Sequence, residues 1–337
     1  MHVEGTILVG RDFEPVEGRV VVEDGRIEAV ERRETDSTDL VCPAFVNAHT
    51  HIGDSIAKEA GAGLSLDDLV APPDGLKHRL LRAASAEEKA AAMRRSLRFM
   101  EATGTAACVE FREGGVPGVE AFERAREGLD IDAVLLGRET QEAMQASDGF
   151  GASGARDGDF AAVREATREA AKLFGIHAGE RDADDVDAAI DLDPDFLVHM
   201  VHATTAHLDR VREREIPIAV CPRSNLVTNV GAPPIRRLAE ATTVALGTDN
   251  VMLNSPSMFR EMEFAAKLSD VSAEEVLRMA TVNGADLAGL DYGVVREGKP
   301  AKLLVLDGDS DNLAGAHDPV RAVVRRAGQA DVKRVIR

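Results

Sequence analysis

Histidine and acidic side chains stand at the ends of several short apolar runs in this 337-residue chain. His49 and His51 close the run "PAFVNAHTHI", and His177 and Glu180 close the run "FGIHAGE". Residues i and i+2 of a strand point to the same face, so both histidines of the first pair can reach one metal ion. Imidazole nitrogens combined with a carboxylate oxygen suit Zn²⁺ or another borderline divalent cation.

Two further apolar runs end in the same way. "FLVHMVH" carries His199 and His202, and "TTVALGTDN" carries Asp249. A lone histidine in an apolar run is more often a hydrogen-bonded core residue than a metal ligand. Several titratable groups at the same end of four predicted strands favour a metal site instead.

The scaffold that would position these groups is an alternation of apolar runs and amphipathic helical patterns. Eight strands alternating with helices predict an α/β fold, the (β/α)8 TIM barrel, in which catalytic residues lie at the carboxyl ends of the strands. A capping box of Ser85 and Glu88 marks the start of one helix. The predicted strands lie in the runs 41–52, 104–113, 131–139, 148–157, 174–180, 196–202, 216–225 and 242–250. The clearest helical patterns are 85–102, 116–127, 159–173, 204–214 and 257–268.

Both ends of the chain have the period-two pattern of short strands. An Asp24-Gly25 turn predicts a hairpin near the N-terminus, and "KLLVLDG", "PVRAVVRRAG" and "VKRVIR" extend the pattern at the other end. We therefore predict a small β-sandwich domain built from 1–43 plus 291–337. The region 44–290 would then be the metal-dependent (β/α)8 barrel catalytic domain.

Composition restricts the partners and the habitat. The formal net charge is −19, with 59 acidic against 40 basic residues, which argues against nucleic acid and anionic membranes as partners. Only 8 of the basic residues are lysine, a balance that favours a salt-adapted, halophilic cytosol. We find neither a secretory signal nor an apolar run of ~18 residues, so we expect a cytoplasmic protein. Three widely spaced cysteines fit buried free thiols better than disulfides.

The motifs "NAHTH", "IHAGE", "FLVHMVH", "CPRSN" and "GTDN", in this order, resemble the metal-dependent amidohydrolase superfamily. Within it they are similar to the cytosine deaminase, guanine deaminase and chlorohydrolase branch, and the likeness spans nearly the whole chain. The resemblance implies one divalent ion, Zn²⁺ or else Fe²⁺, held by His49, His51, His177 and Asp249. Dinuclear members carry a lysine at the end of strand four, where "DGFGASGARD" has none, so a mononuclear site is favoured.

The same resemblance implies catalytic roles for three residues. Glu180 would carry protons to a substrate nitrogen, as a carboxylate beside a cation in a closed site can do. Asp249 would act as general base, and His199 would hold the attacking water or the substrate, with His202 as the rival for that role. The function implied is a hydrolase that deaminates an aminated nitrogen heterocycle. Hydrolysis of a cyclic amide, an amide or a carbon–halide bond is the alternative, and a catalytically silent scaffold is a remote third.

Side chains for the substrate are the least determined part of the site. Arg112, Arg138 and Arg156 follow predicted strands two, three and four and could hold an anionic substrate. Each also has an acidic neighbour, so surface ion pairs are the alternative. His202 and Asn225 are further candidates for substrate contact. The sequence determines neither the substrate nor the oligomeric state, and a homo-oligomer is compatible with it.

Overall fold

The computed structural model describes residues 1–71 and 73–337, and within that part of the chain the strands form two sheets. The larger sheet is parallel throughout and curled, as in a TIM barrel, and its neighbouring strands follow chain order. All eight apolar runs contribute to it, which confirms the predicted strand alternation. Its strands are β5 (Phe45–His51), β6 (Thr105–Arg112), β7 (Asp132–Gly137), β8 (Gly149–Ala152), β9 (Leu173–Ala178), β10 (Phe196–His199), β11 (Ile218–Val220), β12 (Val244–Leu246) and β13 (Asp249–Asn250).

The eighth run is divided into two short strands that serve opposite edges of this sheet. β12 pairs with β11, whereas β13 pairs with β5, the first strand. Gly247 and Thr248 join them, and the Thr248 amide donates to His49 O at 3.0 Å. A Cβ on Gly247 would lie 2.8 Å from the His49 backbone nitrogen, so only glycine permits this close approach. The join brings Asp249 beside the first strand.

The two ends of the chain build the second sheet together. Asp24 and Gly25 have φ values of 47° and 73°, the conformation of a tight two-residue hairpin, which confirms the predicted turn. The six strands form one hydrogen-bonded sheet, so the β-sandwich and its boundaries stay a prediction. In sheet order the strands are β15 (Val332–Ile336), β14 (Leu303–Leu306), β4 (Leu40–Pro43), β1 (His2–Val9), β2 (Glu14–Glu23) and β3 (Arg26–Arg32).

One predicted strand is wrong. The segment "PVRAVVR" is a helix, Pro319–Arg325, and not a strand. Asp318 caps it by accepting from the Arg321 amide, and proline occupies the first helical position, where it lacks only a hydrogen bond that helix ends leave unmade. Its buried valines follow helical spacing and pack against two neighbouring helices, so tertiary contact outweighs the strand propensity of valine.

The helices follow the predicted alternation, and all five predicted helical patterns are confirmed. The capping box of Ser85 and Glu88 is present. None of the helices in the described ranges is both long and apolar enough to cross a bilayer. They are α1 (Leu66–Val70), α2 (Leu76–Ala83), α3 (Ala86–Ala102), α4 (Gly115–Arg126), α5 (Gln141–Gln145), α6 (Ala161–Glu169), α7 (Val186–Asp191), α8 (Thr205–Glu213), α9 (Pro222–Val227), α10 (Ile235–Ala241), α11 (Met258–Leu268), α12 (Ala273–Met279), α13 (Val282–Leu287) and α14 (Pro319–Arg325).

The core has one apolar layer between the helices and the curled sheet and a second inside the sheet. Small side chains such as Ala48, Ala219 and Ala245 fill the inner layer. Phe111 lies at its upper end, with ring centroids 4.6 Å from His49 and 5.0 Å from His177. The three cysteines are buried and free, as predicted. The inner layer thus ends in a histidine cluster that rests on an aromatic ring.

Candidate metal centre

Three imidazole nitrogens converge above Phe111. The side chains of His49 and His51, near the end of β5, point toward the inside of the curled sheet, and His177 reaches the same point from β9. His177 Nε2 lies 3.3 Å from His49 Nε2 and 3.3 Å from His51 Nε2. The i, i+2 spacing on a strand therefore brings the first pair together, as predicted.

A carboxylate oxygen completes the group. Asp249 Oδ1, on β13, lies 3.4 Å from His49 Nε2 and 3.6 Å from His51 Nε2. Its position is fixed by Ser224 Oγ, which donates to Oδ2 at 2.5 Å, and by Asn250 Nδ2, which donates to Oδ1 at 2.9 Å. Of the four side chains predicted as ligands, His49, His51 and Asp249 form one group that could hold a metal ion, and His177 forms another with His49 and His199.

The spacing of these atoms fits a tetrahedral metal site. Two ligands at ~2.0 Å from Zn²⁺ with a tetrahedral angle between them are ~3.3 Å apart. Four of the six pair separations among these atoms, at 3.3, 3.3, 3.4 and 3.6 Å, agree with that value. The donor set of three imidazoles and one carboxylate also suits a divalent ion.

The outer contacts of the histidines leave lone pairs facing the centre. His177 Nδ1 lies 2.7 Å from Ala152 O, which can only accept, and His51 Nδ1 lies 2.8 Å from Glu113 Oε1. The Ala152 contact holds the His177 proton on Nδ1. The charge of Glu113 favours the same tautomer of His51, although this close contact lacks hydrogen-bond geometry. With both protons on Nδ1, the two Nε2 atoms carry lone pairs 3.3 Å apart. Two such lone pairs repel one another unless a cation lies between them, which is a second reason that a metal ion fits here.

Burial favours the ionisation states that bind a metal. It lowers the pKa of His49, and it lowers the pKa of His51 to about 3, with the charge of Lys77 acting in the same direction. Burial also holds the pKa of His177 well below its usual range. Burial alone would raise the pKa of Asp249, but its hydrogen bond with His49 and the neighbouring imidazoles outweigh this effect and lower it. Neutral imidazoles around an ionised carboxylate are the protonation state of a metal site.

His199 and Glu180 stand beside the four converging atoms. Ligand atoms of Glu180, His199 and Asp249 all lie within 4.8 Å of one another, and His199 Nε2 is 3.6 Å from Glu180 Oε2. Asn225 Nδ2 lies 3.1 Å from His199 Nδ1. With that amide as donor, the proton of neutral His199 is on Nε2, directed toward the pocket. Burial raises the pKa of Glu180, and the charge of Asp249 adds to this effect against the charge of His199.

The two histidines considered for strand six have different surroundings. His199 is buried, with 1% of its surface exposed, and belongs to two of the groups that could hold a metal. His202 is exposed, beyond the end of β10, and lies outside these groups among the described residues. Asn225 contacts His199 from a fully buried position. The geometry therefore favours His199 for the strand-six role.

The three predicted arginines differ in position. Arg112 is 2% exposed, and its guanidinium donates to Glu113 O, Glu113 Oε2 and Glu110 Oε1 at 2.9, 3.0 and 3.1 Å, so it pairs with buried acids and does not line the pocket beside the histidines. Arg138 lines the pocket beside the histidines and donates to Glu113 at 3.1 Å. Arg156 lines the same pocket with 29% of its side chain exposed, and it pairs with Asp182.

Sequence reasoning missed a buried polar group behind the histidines. Glu113 accepts from Arg138 and Arg112 and lies against His51, yet the sequence marks it only as an acid beside an arginine. Lys77 on α2 is 2% exposed and lines the pocket, although the segment 53–80 shows no pattern that singles it out. By contrast Lys172, which directly precedes β9, donates to Gln145 O at 2.7 Å, at the end of α5.

Comparison with known proteins identifies the family and several relatives of this chain. The model of the amidohydrolase family matches residues 40–337. A protein of Methanothermobacter thermautotrophicus provisionally named an aminohydrolase is 36% identical, with 97% of this chain and 95% of the relative covered. A 5-methylthioadenosine/S-adenosylhomocysteine deaminase of Halobacterium salinarum is 28% identical, with 100% and 90% covered.

A solved structure has the same fold. An adenosine deaminase of Xanthomonas campestris with bound zinc superposes with a TM-score of 0.79, at 20% identity, with 99% of this chain and 90% of that chain covered.

Proposed function

The chain belongs to the amidohydrolase family, and from that premise we propose that it is a mononuclear metal-dependent deaminase of a nucleoside-like aminated heterocycle. That it is a hydrolase of non-peptide carbon–nitrogen bonds follows from the family and from relatives named as deaminases. The observation that carries the finer proposal is the placement of Glu180 beside the His199 and Asp249 atoms, all within 4.8 Å. We assign catalysis to the region 44–290, and 1–43 with 291–337 to a small β domain.

The proposed metal ligands are the four side chains whose atoms meet above Phe111: His49, His51, His177 and Asp249. We expect Zn²⁺, with Fe²⁺ as the alternative for the same donor set. When bound, the ion lowers the pKa of a water molecule and so supplies a nucleophile near neutral pH. The described part of strand four, Gly149–Ala152 and the residues after it up to Asp157, carries no lysine that could bridge a second ion.

The proton transfers can be assigned to three side chains. Asp249 accepts a proton from the attacking water while the water oxygen adds to the sp² carbon that bears the amino group. Glu180 donates its proton to the adjacent ring nitrogen, which its raised pKa favours. Asp249 then passes its proton to the amino group, the carbon–nitrogen bond breaks and ammonia leaves. The hydroxyl proton returns to Glu180 as the carbonyl forms.

His199 would stabilise the attacked centre. Its Nε2–H, fixed by the contact of Nδ1 with Asn225, can donate to the oxygen that adds to the ring. A donor held in place before reaction stabilises charge that develops in the transition state without reorganisation. In this assignment Asn225 orients His199 and does not contact the substrate, and His202 has no role.

The space next to the centre supports a substrate larger than a free base. A cavity of about 520 Å³ adjoins the site pocket along His78 and Arg138. Its lining includes the apolar side chains of Leu81, Phe150 and Phe160 as well as charged residues. We propose that the heterocycle lies over the histidines and that a substituent such as a modified ribose extends into this cavity.

Ammonia release tests the proposal. The zinc-loaded protein is incubated with adenine nucleosides with and without 5′ substituents, and with guanine, cytosine and pterins, while a glutamate dehydrogenase assay follows ammonia. We expect turnover of at least one nucleoside and a much slower reaction of its free base. Turnover of only a lactam or a chlorotriazine would favour the alternative hydrolase. No turnover by protein shown to hold metal would favour a silent scaffold.

An anionic substituent remains part of the proposal through the two arginines that line the pocket. Arg156→Met and Arg138→Met should each raise KM for a nucleoside with a terminal carboxylate more than for its neutral analogue, because a guanidinium binds carboxylates by paired hydrogen bonds. Arg168→Met provides the contrast, since Arg168 pairs with Asp193 and lines neither the pocket nor the adjoining cavity. Equal changes for both substrates in all three variants would refute an anion contact.

A further inference from the structure

We propose that Lys77 is a positioning residue that joins the outer polar contacts of two proposed metal ligands, His51 and Asp249. This inference rests on the proposed metal centre and on no particular substrate. Lys77 belongs to α2 and lines the pocket, and all of the proposed ligands belong to the sheet. It would therefore tie α2 to the centre.

The ammonium group of Lys77 is buried and has two acceptors. Its side chain is 3% exposed, Nζ lies 2.6 Å from Glu113 Oε1, and Nζ donates to Asn250 Oδ1 at 2.9 Å. Lysine is almost never buried this deeply without such partners. Glu113 follows β6 and Asn250 belongs to β13, and a compact ammonium with three rotatable donors can serve both from one point.

Through Glu113, Lys77 acts on His51. Glu113 Oε1 lies 2.8 Å from His51 Nδ1 and is also the oxygen that Lys77 contacts. The charge of a carboxylate at this distance favours the imidazole proton on Nδ1 and leaves Nε2 free as a ligand atom, although the contact lacks hydrogen-bond geometry. Lys77 contacts that carboxylate from α2, while Arg112 and Arg138 contact it from the ends of β6 and β7.

Through Asn250, Lys77 acts on Asp249. An amide has one oxygen and one nitrogen end, and the bond from Lys77 assigns the oxygen end to itself. The nitrogen end is thereby directed to Asp249 Oδ1, to which it donates at 2.9 Å. Without Lys77 the amide can turn over, and its oxygen would then face the Asp249 carboxylate and repel it.

The expected consequence is a change in metal binding. Replacing an outer partner of a metal ligand typically weakens metal affinity or activity by ~10–100-fold. We expect Lys77→Met to weaken zinc binding within this range because it loosens the partners of two ligands together. Arg79→Met is the matched control, since Arg79 lies on the same helix, carries the same charge and is exposed.

The experiment measures metal binding without substrate. Zinc dissociation constants are obtained by chelator competition for wild type, K77M and R79M, and the visible absorption spectrum of each cobalt-substituted protein reports ligand geometry. Melting of the metal-free proteins measures fold stability separately. We expect K77M to show weaker zinc binding and an altered cobalt spectrum, and R79M to match wild type. Zinc affinity and spectrum unchanged in K77M would overturn the inference.

A second variant covers the case in which K77M does not fold. Lys77→Gln keeps a polar donor in the cavity but lacks the charge and cannot serve both acceptors equally, so we expect weaker zinc binding from it as well. Failure of both variants to fold would overturn the inference, because Lys77 would then support the fold itself. Absence of deaminase activity with normal zinc binding in wild type would count against the proposed function alone.

Discussion

Glu180→Gln separates proton transfer from substrate binding at the proposed centre. Glutamine keeps the shape and the hydrogen-bonding capacity of Glu180 but cannot release a proton. A positioned general acid contributes ~10²–10⁴-fold to rate. At ~1.4 kcal/mol per factor of ten, this corresponds to ~3–6 kcal/mol of the activation barrier. We therefore expect kcat to fall within that range while KM changes little.

The structure also fixes the direction of the pH effect. Burial raises the pKa of Glu180, so its acid form persists to a higher pH than that of an exposed glutamate. Activity that depends on this acid form is full below the raised pKa and declines as pH rises through it. The wild-type profile of kcat should show that decline, and the residual activity of the variant should lack it.

Ammonia release at saturating substrate measures both effects, on proteins with equal zinc content. Asp184→Asn is the matched control because Asp184 is an exposed acid of the same loop. A loss of less than ~10-fold in E180Q would refute the assignment of Glu180 as general acid. So would a decline with pH that is unchanged in the variant, since another group would then carry the proton.

Three further predictions concern stability. Removal of the metal by a chelator should lower the melting temperature by ~6 °C, since an ion at ~1,000 times its Kd adds ~4 kcal/mol and a chain of this size unfolds with ~0.7 kcal/mol/K of entropy; an unchanged scan would contradict a metal centre. Burial raises the pKa of Glu110 to about 7. Its neutral carboxyl therefore contributes full stability when the pH is below the ordinary pKa of glutamate, and this contribution is lost as pH rises through 7. Glu110→Gln should thus gain up to ~3 kcal/mol over wild type between pH 5 and pH 8 in urea unfolding, and a constant difference would argue against it. Gly53→Ala should cost ~1–3 kcal/mol because its Cβ would lie 1.8 Å from Arg112, whereas Gly158→Ala, with nothing nearer than 3.5 Å, should be neutral.

The scaffold and the first layer of the site were predictable from sequence because both follow local periodicity. Apolar runs bounded by polar residues mark strands, and the residue at the end of each run lies at one rim of a parallel sheet. Asp249 and His177 could therefore be placed near His49 without knowledge of their contacts. The segment "PVRAVVR" failed because its valines favour strands locally, while its capping aspartate and its packing determine a helix.

The second layer was not predictable, because tertiary contacts alone create it. Glu113 and Lys77 are 36 positions apart, in segments of different secondary structure, and no sequence period relates them. Arg112 shows the same limit. Its place at a strand end was correctly inferred, but the direction of its side chain depends on contacts with Glu110 and Gly53. A charged residue at a strand end can serve a substrate or hold another side chain, and sequence does not distinguish these uses.

Backbone conformation explains how short strands can aim several side chains at one point. His199, Met200 and Asp249 have φ values of 76°, 55° and 57°, a region that costs non-glycine residues ~1–3 kcal/mol each. Both turns are nonetheless held there: Met200 N donates to Ala178 O at 2.9 Å, and Ser224 Oγ and Asn250 Nδ2 fix the Asp249 carboxylate. In a regular strand His199 and Asp249 would continue the alternation of their neighbours and point away from a common centre. The surrounding hydrogen bonds maintain this strained conformation, and the conformation directs both side chains to the centre. We infer that the strain persists because the site depends on this convergence.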